Sequence, residues 1–181
     1  VGLGKTHLLN AIGHYNTVNN PRSRSRYMSV DEFIGEYVQS LKDKRALEFK
    51  RGLKKLDLLL LDDMQLLEKK VNFHDELCNI IESLVLQRKR VVIASDKPLH
   101  ALKLDKRLKE RLQQGITTQL VKPAFETRVG ILMNKALIKG ITLDEEQAML
   151  IAEHINGNVR QLEGFLNRLS AHMLLDDVRL D

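Results

Sequence analysis

The chain of 181 residues carries 29 Lys and Arg against 24 Asp and Glu, a formal charge of +5, and 43% of its residues are hydrophobic. A chain of this length and composition can bury a sizeable core, which excludes disorder, a collagen-like repeat and a coiled coil. Its apolar runs, such as Leu58–Leu61, are far shorter than the roughly 20 residues that cross a bilayer, and its single cysteine excludes an intramolecular disulfide. We therefore expect a cytoplasmic protein without membrane insertion.

Apolar spacing, caps and turn residues predict alternating strands and helices up to Pro123. In chain order these are a helix at Lys5–Tyr15, a strand at Arg26–Val30, a helix opened by a Ser29–Glu32 capping box, a strand at Leu58–Leu61, a helix with Phe73, Leu77, Ile80, Ile81 and Leu84 inward, and strands at Val91–Ala94 and Thr117–Val121. Buried strands separated by helices imply right-handed parallel crossovers. The predicted fold class is therefore α/β, with a parallel sheet flanked by helices on both faces.

Only helical patterns follow Pro123. They cover about Phe125–Lys139, Asp144–Ile155 and Val159–Leu174, with Thr142 and Glu145 spaced as a capping box and with Gly140 and Gly157 expected to stop the first two helices. We therefore predict two domains, an α/β nucleotide-binding domain at 1–123 and a small three-helix lid at 124–181.

The chain opens with the glycine-rich sequence Val1-Gly-Leu-Gly-Lys-Thr6, which runs directly into the first predicted helix. In a phosphate-binding loop, glycines let backbone amides approach the phosphates, the lysine contacts the outer phosphates and the Ser or Thr hydroxyl binds magnesium. The candidate nucleotide-binding residues are Gly2, Leu3, Gly4, Lys5, Thr6 and His7. The loop's first glycine would lie two residues before Val1, so we expect a piece of a longer chain. The competing interpretation is a glycine-rich helix start.

Acidic side chains follow two of the predicted strands. Asp62 and Asp63 end the strand at Leu58–Leu61, and Ser95 and Asp96 end the next one. In an open parallel sheet, ligands bind at the carboxyl ends of the strands. These residues therefore predict a nucleoside triphosphatase site that uses Mg²⁺, in which Thr6 and Asp62 hold the metal and Asp63 orients the attacking water. The alternative is that the two aspartates only end a strand in a turn.

At this point the residues resemble a known family. The relevant segments are Gly-Leu-Gly-Lys-Thr-His-Leu-Leu (2–9), Tyr-Met-Ser…Phe…Val (27–38), Leu-Leu-Leu-Leu-Asp-Asp-Met-Gln (58–65), Ala-Ser-Asp-Lys-Pro (94–98), Glu-Thr-Arg-Val-Gly-Ile-Leu (126–132) and Asn-Val-Arg-Gln-Leu-Glu-Gly (158–164). In order and spacing they are similar to successive motifs of the AAA+ module of the bacterial DnaA replication initiators. The resemblance covers nearly the whole chain.

The resemblance implies a role for each matching residue. Lys5 and Thr6 fall on the Walker A motif, Asp62 and Asp63 on Walker B, Asp96 on sensor 1, Arg160 on sensor 2 and Arg111 on the arginine finger that completes a neighbouring subunit's site, with Arg107 as the fallback finger. A guanidinium suits the finger because it stays charged and forks onto phosphate oxygens. The competing reading of Arg111 is a solvated charge on a helix.

Two departures bear on activity. Glu110 precedes the finger and Leu112-Gln-Gln-Gly115 follows it, where the family has an aromatic residue and Gly-Trp/Leu-like residues, so the geometry of the subunit interface does not follow from the resemblance. Asp63 is shorter than the glutamate of fast motor ATPases, which places its carboxylate farther from the water. We therefore expect at most a weak ATPase used as a switch.

The family also implies DNA binding. An inserted helical pair, here about Asp31–Gly52, binds single-stranded DNA, and the candidate contacts are Val38, Lys42, Lys44 and Arg45. The chain has only eight Phe and Tyr and no Trp, so backbone contacts that weaken with salt are expected rather than base stacking. The basic groups Arg22/Arg24/Arg26 and Lys69-Lys70 are either solvated or contact DNA.

Further partners follow from the same resemblance. It implies a homo-oligomer in the ATP form on origin DNA, contacts with the replicative helicase and regulatory proteins, and double-stranded box recognition by a helix-turn-helix domain expected after Asp181. Two alternatives stay open, a helicase-loader AAA+ ATPase and a non-hydrolysing regulatory paralogue that docks on the initiator. A small-molecule kinase is the least favoured, because no acceptor pocket is indicated.

Overall fold

The computed structural model describes residues 2–177, so Val1 of the predicted loop and residues 178–181 of the predicted lid lie outside the described residues. The helices are α1 (Lys5–Asn19), α2 (Val30–Lys42), α3 (Ala46–Lys54), α4 (His74–Leu86), α5 (Lys106–Gln113), α6 (Phe125–Ile138), α7 (Glu145–His154) and α8 (Val159–Asp177), and the strands are β1 (Ser25–Ser29), β2 (Leu58–Asp62) and β3 (Arg90–Ile93). They form two compact units. One is Lys5–Thr118, and the other joins the residues up to Gly4 with those from Gln119 onward. The predicted boundary at Pro123 lies slightly later in the chain.

The first unit is built on a three-stranded parallel sheet in the order β1-β2-β3. All five residues of β2 are buried, which fits an apolar tetrad in the centre of a parallel sheet. Leu58 and Leu60 pack with Leu9 of α1, whereas Leu59 and Leu61 belong to the larger core formed by α2, α4 and α5. Both faces are therefore covered by helices, as predicted for this α/β fold.

The helical pair after β1 also follows the sequence prediction. The Ser29 hydroxyl accepts from Glu32 N–H, and the Glu32 carboxylate accepts from Ser29 N–H, which confirms the capping box. Phe33 and Ile34 of α2 are buried in the core. The turn into α3 contains Lys44 at φ +57°, a left-handed conformation that reverses the chain within a few residues.

The predicted strand at Thr117–Val121 is wrong. No strand forms there within the described residues, and Ile116 and Val121 are largely exposed. The β-branched residues of this segment favour a strand, but a strand also needs a neighbouring ladder of hydrogen bonds. In the described sheet β3 pairs only with β2, so the local pattern finds no partner.

The second unit contains α6, α7 and α8 around buried residues such as Leu132, Ala148 and Leu162. Gly140 has φ +69° after α6, as expected for a C′ glycine. Two local predictions are wrong. The capping box of α7 is formed by Asp144 and Gln147, and not by Thr142 and Glu145, because Asp144 is the residue directly before the first helical turn. The C-cap of α7 is Ile155, so Gly157 does not stop that helix and has no positive φ.

No helix of the described part of the chain is both long and apolar enough to span a bilayer.

Candidate functional site

The carboxyl ends of β2 and β3 meet at one edge of the sheet. Ala94 N–H donates to Leu61 O at 2.8 Å, and Met64 N–H donates to Ala94 O at 3.0 Å, so the pairing continues beyond the strands themselves. This pairing sets the residues after β2 beside those after β3. Asp62 and Asp96 therefore reach the same edge, as the sequence predicts.

The start of α1 reaches that edge too. Thr6 Oγ1 donates to Asp62 Oδ2 at 2.5 Å, and the Lys5 ammonium donates to Asp96 Oδ1 as an ion pair. Asp62 is almost completely buried, whereas the side chains of Lys5 and Asp96 keep 17% and 25% of their surface exposed. Four of the predicted site residues thus form two contacting pairs. Thr6 contacts the buried carboxylate of Asp62, and Lys5, which lies nearer to solvent, contacts Asp96.

Asp63 has an unusual backbone. Its φ and ψ of 56° and 45° are left-handed, and its N–H donates to Asp62 Oδ1 at 2.8 Å. A non-glycine residue in this region is strained unless its surroundings hold it there. The turn directs consecutive aspartates differently, because Asp62 stays in the strand while Asp63 begins the 3₁₀ turn Met64–Lys69.

Gln65 is a site residue that the sequence analysis did not single out. Its amide Nε2 donates to Asp63 Oδ1 at 2.8 Å and lies 3.5 Å from Asp96 Oδ2, while its Oε1 accepts from Asp96 N–H at 3.0 Å and from Ser95 Oγ at 3.3 Å. One side chain therefore ties together the residues that follow both strands. The available signal was a polar side chain directly after Asp62-Asp63-Met64, next to the apolar Leu66 and Leu67.

Tyr27 of β1 is a second residue that sequence analysis missed. Its hydroxyl donates to Asp62 Oδ2 at 3.1 Å, so that oxygen accepts from both Tyr27 and Thr6. Partial burial, followed by the charge and hydrogen bond of Asp62, raises the pKa of Tyr27 to about 12. The phenol therefore stays protonated at neutral pH and acts as a donor to the buried carboxylate.

The donor set suits magnesium bound together with phosphates. The Thr6 hydroxyl and the Asp62 carboxylate are hard oxygen ligands in contact, and Mg²⁺ commonly takes only one or two protein oxygens, with phosphates and water completing its shell. Consistent with that mode, the described residues contain no cluster of three or more His, Cys, Asp or Glu that would hold a metal alone. The Lys5 ammonium lies at the same edge, where it pairs with Asp96.

The glycines of the loop have the predicted conformational freedom. Gly2 and Gly4 have φ of +76° and +88°. In the second unit, Val159 N–H donates to Gly2 O at 3.0 Å, and a Cβ on Gly2 would lie 2.9 Å from Asn158 Cγ. Glycine is therefore required at position 2 both for its φ and for the close approach of Asn158. No described contact assigns a ligand role to Leu3 or His7.

Two of the three candidate arginines lie on α5, and the third lies on α8 in the other unit. On α5, Arg107 binds Glu82 at 2.7 Å and Asn79 at 2.8 Å, so it fastens α5 to α4. Arg111 donates instead to the side-chain oxygen of Gln114, three residues further along the chain, at 2.6 Å. Arg160 is exposed in the first turn of α8. Arg107 forms ion pairs, whereas Arg111 forms none among the described residues, although both arginines, Arg107 first, lower the pKa of Glu82.

The predicted DNA contacts lie at the tip between α2 and α3. Lys42 and Lys44 are exposed, and Arg45 pairs with Asp43 at 3.0 Å on the surface. Val38 is half-buried and packs against the core. The three basic residues therefore have their charges at the surface, whereas the side chain of Val38 contributes to the packing of the core.

A parallel sheet whose carboxyl edge gathers a Lys-Thr pair from a helix start with acidic residues from two strands is typical of a P-loop nucleotide-binding domain. The chain matches the family model described as the bacterial DnaA ATPase domain over residues 1–119, and it belongs to that family.

Relatives and solved structures agree with this assignment. The chain is 45% identical over 175 residues to chromosomal replication initiator protein DnaA 2 of Chlamydia pneumoniae, covering 97% of this chain and 39% of that protein. It is 42% identical over 181 residues to DnaA 1 of Protochlamydia amoebophila, covering 99% of this chain and 40% of that protein. The chain thus spans about two fifths of these relatives.

Among solved structures, domain III of the Thermotoga maritima replication initiation protein DnaA superposes with a TM-score of 0.91 at 35% identity, covering 98% of this chain and 75% of that one. A replication initiator DnaA bound to AMPPCP and single-stranded DNA gives a TM-score of 0.80 at 34% identity, covering 93% of this chain and 52% of that one.

Proposed function

We propose that this chain is an ATP-binding, slowly hydrolysing switch that assembles on origin DNA to initiate bacterial chromosome replication. The observation that carries the proposal is the convergence of Lys5 and Thr6 with Asp62, Asp63 and Asp96 at one edge of the sheet. Family membership supports it, since solved relatives are described as bound to AMPPCP and, in one case, to single-stranded DNA.

In this proposal each residue at the edge has a defined task. The Lys5 ammonium exchanges Asp96 for outer phosphate oxygens, and Thr6 with Asp62 supplies the protein ligands of magnesium. Magnesium, when bound, neutralises the charge that develops on the transferred phosphoryl group. Asp63 orients the attacking water, and Gln65 holds its carboxylate.

Slow turnover follows from the length of the Asp63 side chain. It is shorter than the glutamate of fast motor ATPases, so its carboxylate is poorly placed to hold a water firmly even when Gln65 supports it. A site that binds ATP for longer than it takes to assemble serves as a timer. The ATP-bound state is then the one that acts.

Assembly requires a group from a second copy. We assign this role to Arg111, which donates to Gln114 and forms no ion pair among the described residues, so that it can meet a phosphate of the neighbouring subunit. Arg160 is assigned to follow the nucleotide from the helical unit. The exposed charges of Lys42, Lys44 and Arg45 contact the backbone of single-stranded DNA.

A non-hydrolysing regulatory paralogue is the second candidate, because relatives at 44–45% identity are named DnaA 2. The intact Lys5, Thr6, Asp62 and Asp63 favour hydrolysis instead. An ATPase assay with Lys5→Ala as the background control decides between them.

The central experiment measures the size of the chain with ATP or ADP by light scattering. The wild type is expected to assemble with ATP only, and Arg111→Ala is expected to stay monomeric while binding ATP normally. Lys106→Ala, which removes an exposed charge from the same helix, is the matched control and should assemble. Equal assembly in ATP and ADP, or by Arg111→Ala, would overturn the switch.

A separate experiment tests the DNA tip. Lys42→Ala/Lys44→Ala/Arg45→Ala should weaken binding of a single-stranded oligonucleotide and flatten its salt dependence, with ATP affinity unchanged. Unchanged oligonucleotide affinity would rule out the tip as the contact.

A further inference from the structure

The edge of the sheet opposite the nucleotide site is strongly basic. Three short segments, 20–25, 51–57 and 86–90, lead into β1, β2 and β3, and we call them together the basal surface. Their basic residues are Arg22, Arg24, Arg51, Lys54, Lys55, Arg88, Lys89 and Arg90, and their one acidic residue is Asp57. The basal surface thus contains eight of the 29 Lys and Arg but only one of the 24 Asp and Glu. The rest of the chain therefore has more acidic than basic residues.

Asp57 holds the three segments together. Its N–H donates to Arg24 O at 2.8 Å, its carbonyl accepts from Arg90 N–H at 3.0 Å, and its carboxylate accepts from Arg24 N–H at 2.9 Å and from the Lys89 ammonium. The basic residues are therefore fixed by backbone contacts rather than carried on a loose tail. Neighbouring strands lie about 4.8 Å apart, so the three strand starts span about 10 Å.

Most of these charges are not used within the described structure. Only Lys89 forms an ion pair, with Asp57, and the Arg90 guanidinium donates to the buried Asn16. Cations in the last turn of α3 are favoured by the helix dipole, which accounts for Arg51 and Lys54. No such effect accounts for Arg22 and Arg24, which precede a strand.

We propose that the basal surface binds the phosphate backbone of duplex DNA without reading its sequence. Five of its eight cations are arginines, whose planar fork suits phosphate oxygens. Its three segments contain no aromatic residue on which the bases of a single strand would stack. Among their large apolar side chains only Leu86 is exposed, whereas binding to a membrane surface uses several inserted apolar groups.

The basal surface is separate from the nucleotide site. β2 runs from Leu58, beside the basal surface, to Asp62 in the site, a distance of roughly 15 Å at the rise of a strand. Variants of the basal surface should therefore leave nucleotide binding intact. A second DNA contact on the opposite end of the sheet would let the chain hold duplex while the tip between α2 and α3 holds a separated strand.

The test measures anisotropy of a labelled random duplex of about 30 base pairs between about 50 and about 200 mM salt. Arg24→Gln/Lys55→Gln/Arg88→Asn is expected to weaken binding about tenfold and to reduce the salt slope by about two to three, since each lost phosphate contact removes about one unit. Asn is chosen at 88 because Arg88 has φ +57°, which Asn tolerates. ATP affinity should not change.

The matched control, Lys103→Gln/Lys106→Gln/Lys122→Gln, removes the same charge from exposed positions elsewhere and should cost less than about threefold in affinity. Circular dichroism checks folding, and if the triple variant is unfolded, Arg22→Gln/Arg51→Gln decides, with an expected loss of slope of about two. Equal weakening by the control, unchanged duplex binding, or loss of binding to phosphatidylserine vesicles with duplex binding retained would each overturn the proposal. The tip variant Lys42→Ala/Lys44→Ala/Arg45→Ala should keep its duplex affinity, so a failure here is distinguishable from a failure of the proposed function.

Discussion

The hydroxyl of Thr6, at the start of α1, donates to Oδ2 of Asp62, at the end of β2, across 2.5 Å. These residues are 56 positions apart in the chain and meet because the parallel sheet brings the strand's carboxyl end beside the helix start. A hydroxyl and a carboxylate in contact are the two protein ligands that a magnesium-nucleotide site of this kind requires.

The first prediction concerns this pair. Thr6→Val keeps the shape of the side chain but removes its hydroxyl, so nucleotide affinity in magnesium should fall about tenfold or more. Affinity in EDTA should change little, because the lost group acts through the metal. Titration with a fluorescent ATP analogue measures both values. Thr6→Ser, which restores the hydroxyl, is the control, and wild-type affinity of Thr6→Val in magnesium would contradict the assignment.

The second prediction concerns Gln65, which contacts Asp63, Ser95 and Asp96. Gln65→Ala removes the amide that holds the Asp63 carboxylate. The rate of ATP turnover should therefore fall about tenfold or more, because the water-orienting group loses its support. Affinity for ATP should stay within about threefold, since Lys5 and Thr6 are untouched. Steady-state phosphate release and equilibrium binding separate the two effects. Gln87→Ala, an exposed position after α4, should behave as wild type; a pure loss of affinity in Gln65→Ala would show that Gln65 acts in binding instead.

Some residues of this site can be predicted from the sequence, and others cannot. Lys5, Asp62 and Asp96 are predictable because each adjoins an element whose type the apolar pattern indicates, and the carboxyl ends of parallel strands share an edge. Gln65 and Tyr27 are not predictable in that way, because their contacts depend on the register of β1 on β2 and on a left-handed turn at Asp63. Local pattern carries no information on either.

The same limit explains the errors in the fold. Thr117–Val121 is rich in β-branched residues, as strands often are, but strand formation depends on a partner that the local sequence does not specify. Thr142 with Glu145 and Asp144 with Gln147 have the same capping spacing, and the choice depends on where the first turn of α7 begins. Elements with a buried apolar face, such as β2 and α4, were predicted correctly because burial itself selects their pattern.

The third prediction is a pH dependence at Tyr27. Its pKa is raised to about 12, so folding stabilises the protonated phenol, and this contribution is fully present below pH 10 and declines as the pH rises toward 12. Absorbance titration of the phenolates should show that one of the three tyrosines ionises later than the others. Tyr27→Phe should remove that late step and make unfolding less sensitive to pH between 10 and 12. If the late step persists in Tyr27→Phe, it belongs to Tyr15 or Tyr37.

The last prediction concerns His74, a buried residue that links the segment after β2 to the start of α5. Its Nε2 lies 2.9 Å from Leu67 O, and its Nδ1 accepts from Asp105 N–H at 3.1 Å, which together assign the proton to Nε2. Asp105 in turn caps α5 by accepting from Leu108 N–H, so the imidazole fixes the cap of the helix that carries Arg111. His74→Ala removes the acceptor of the Asp105 N–H, whereas Leu67 O keeps its bond from Lys70 N–H.

We expect His74→Ala to lower the free energy of unfolding by about 2 kcal/mol, because a backbone N–H left without its acceptor costs about 1 to 3 kcal/mol. Urea denaturation measures the loss, and hydrogen exchange should show faster opening of the first turn of α5. His74→Gln, whose amide can donate to one backbone group and accept from the other, should recover part of the stability, and His14→Ala, an exposed histidine of α1, should cost less than about 0.5 kcal/mol. A loss below about 1 kcal/mol in His74→Ala, with unchanged exchange in α5, would mean that the Asp105 N–H finds another partner and that His74 does not position the helix.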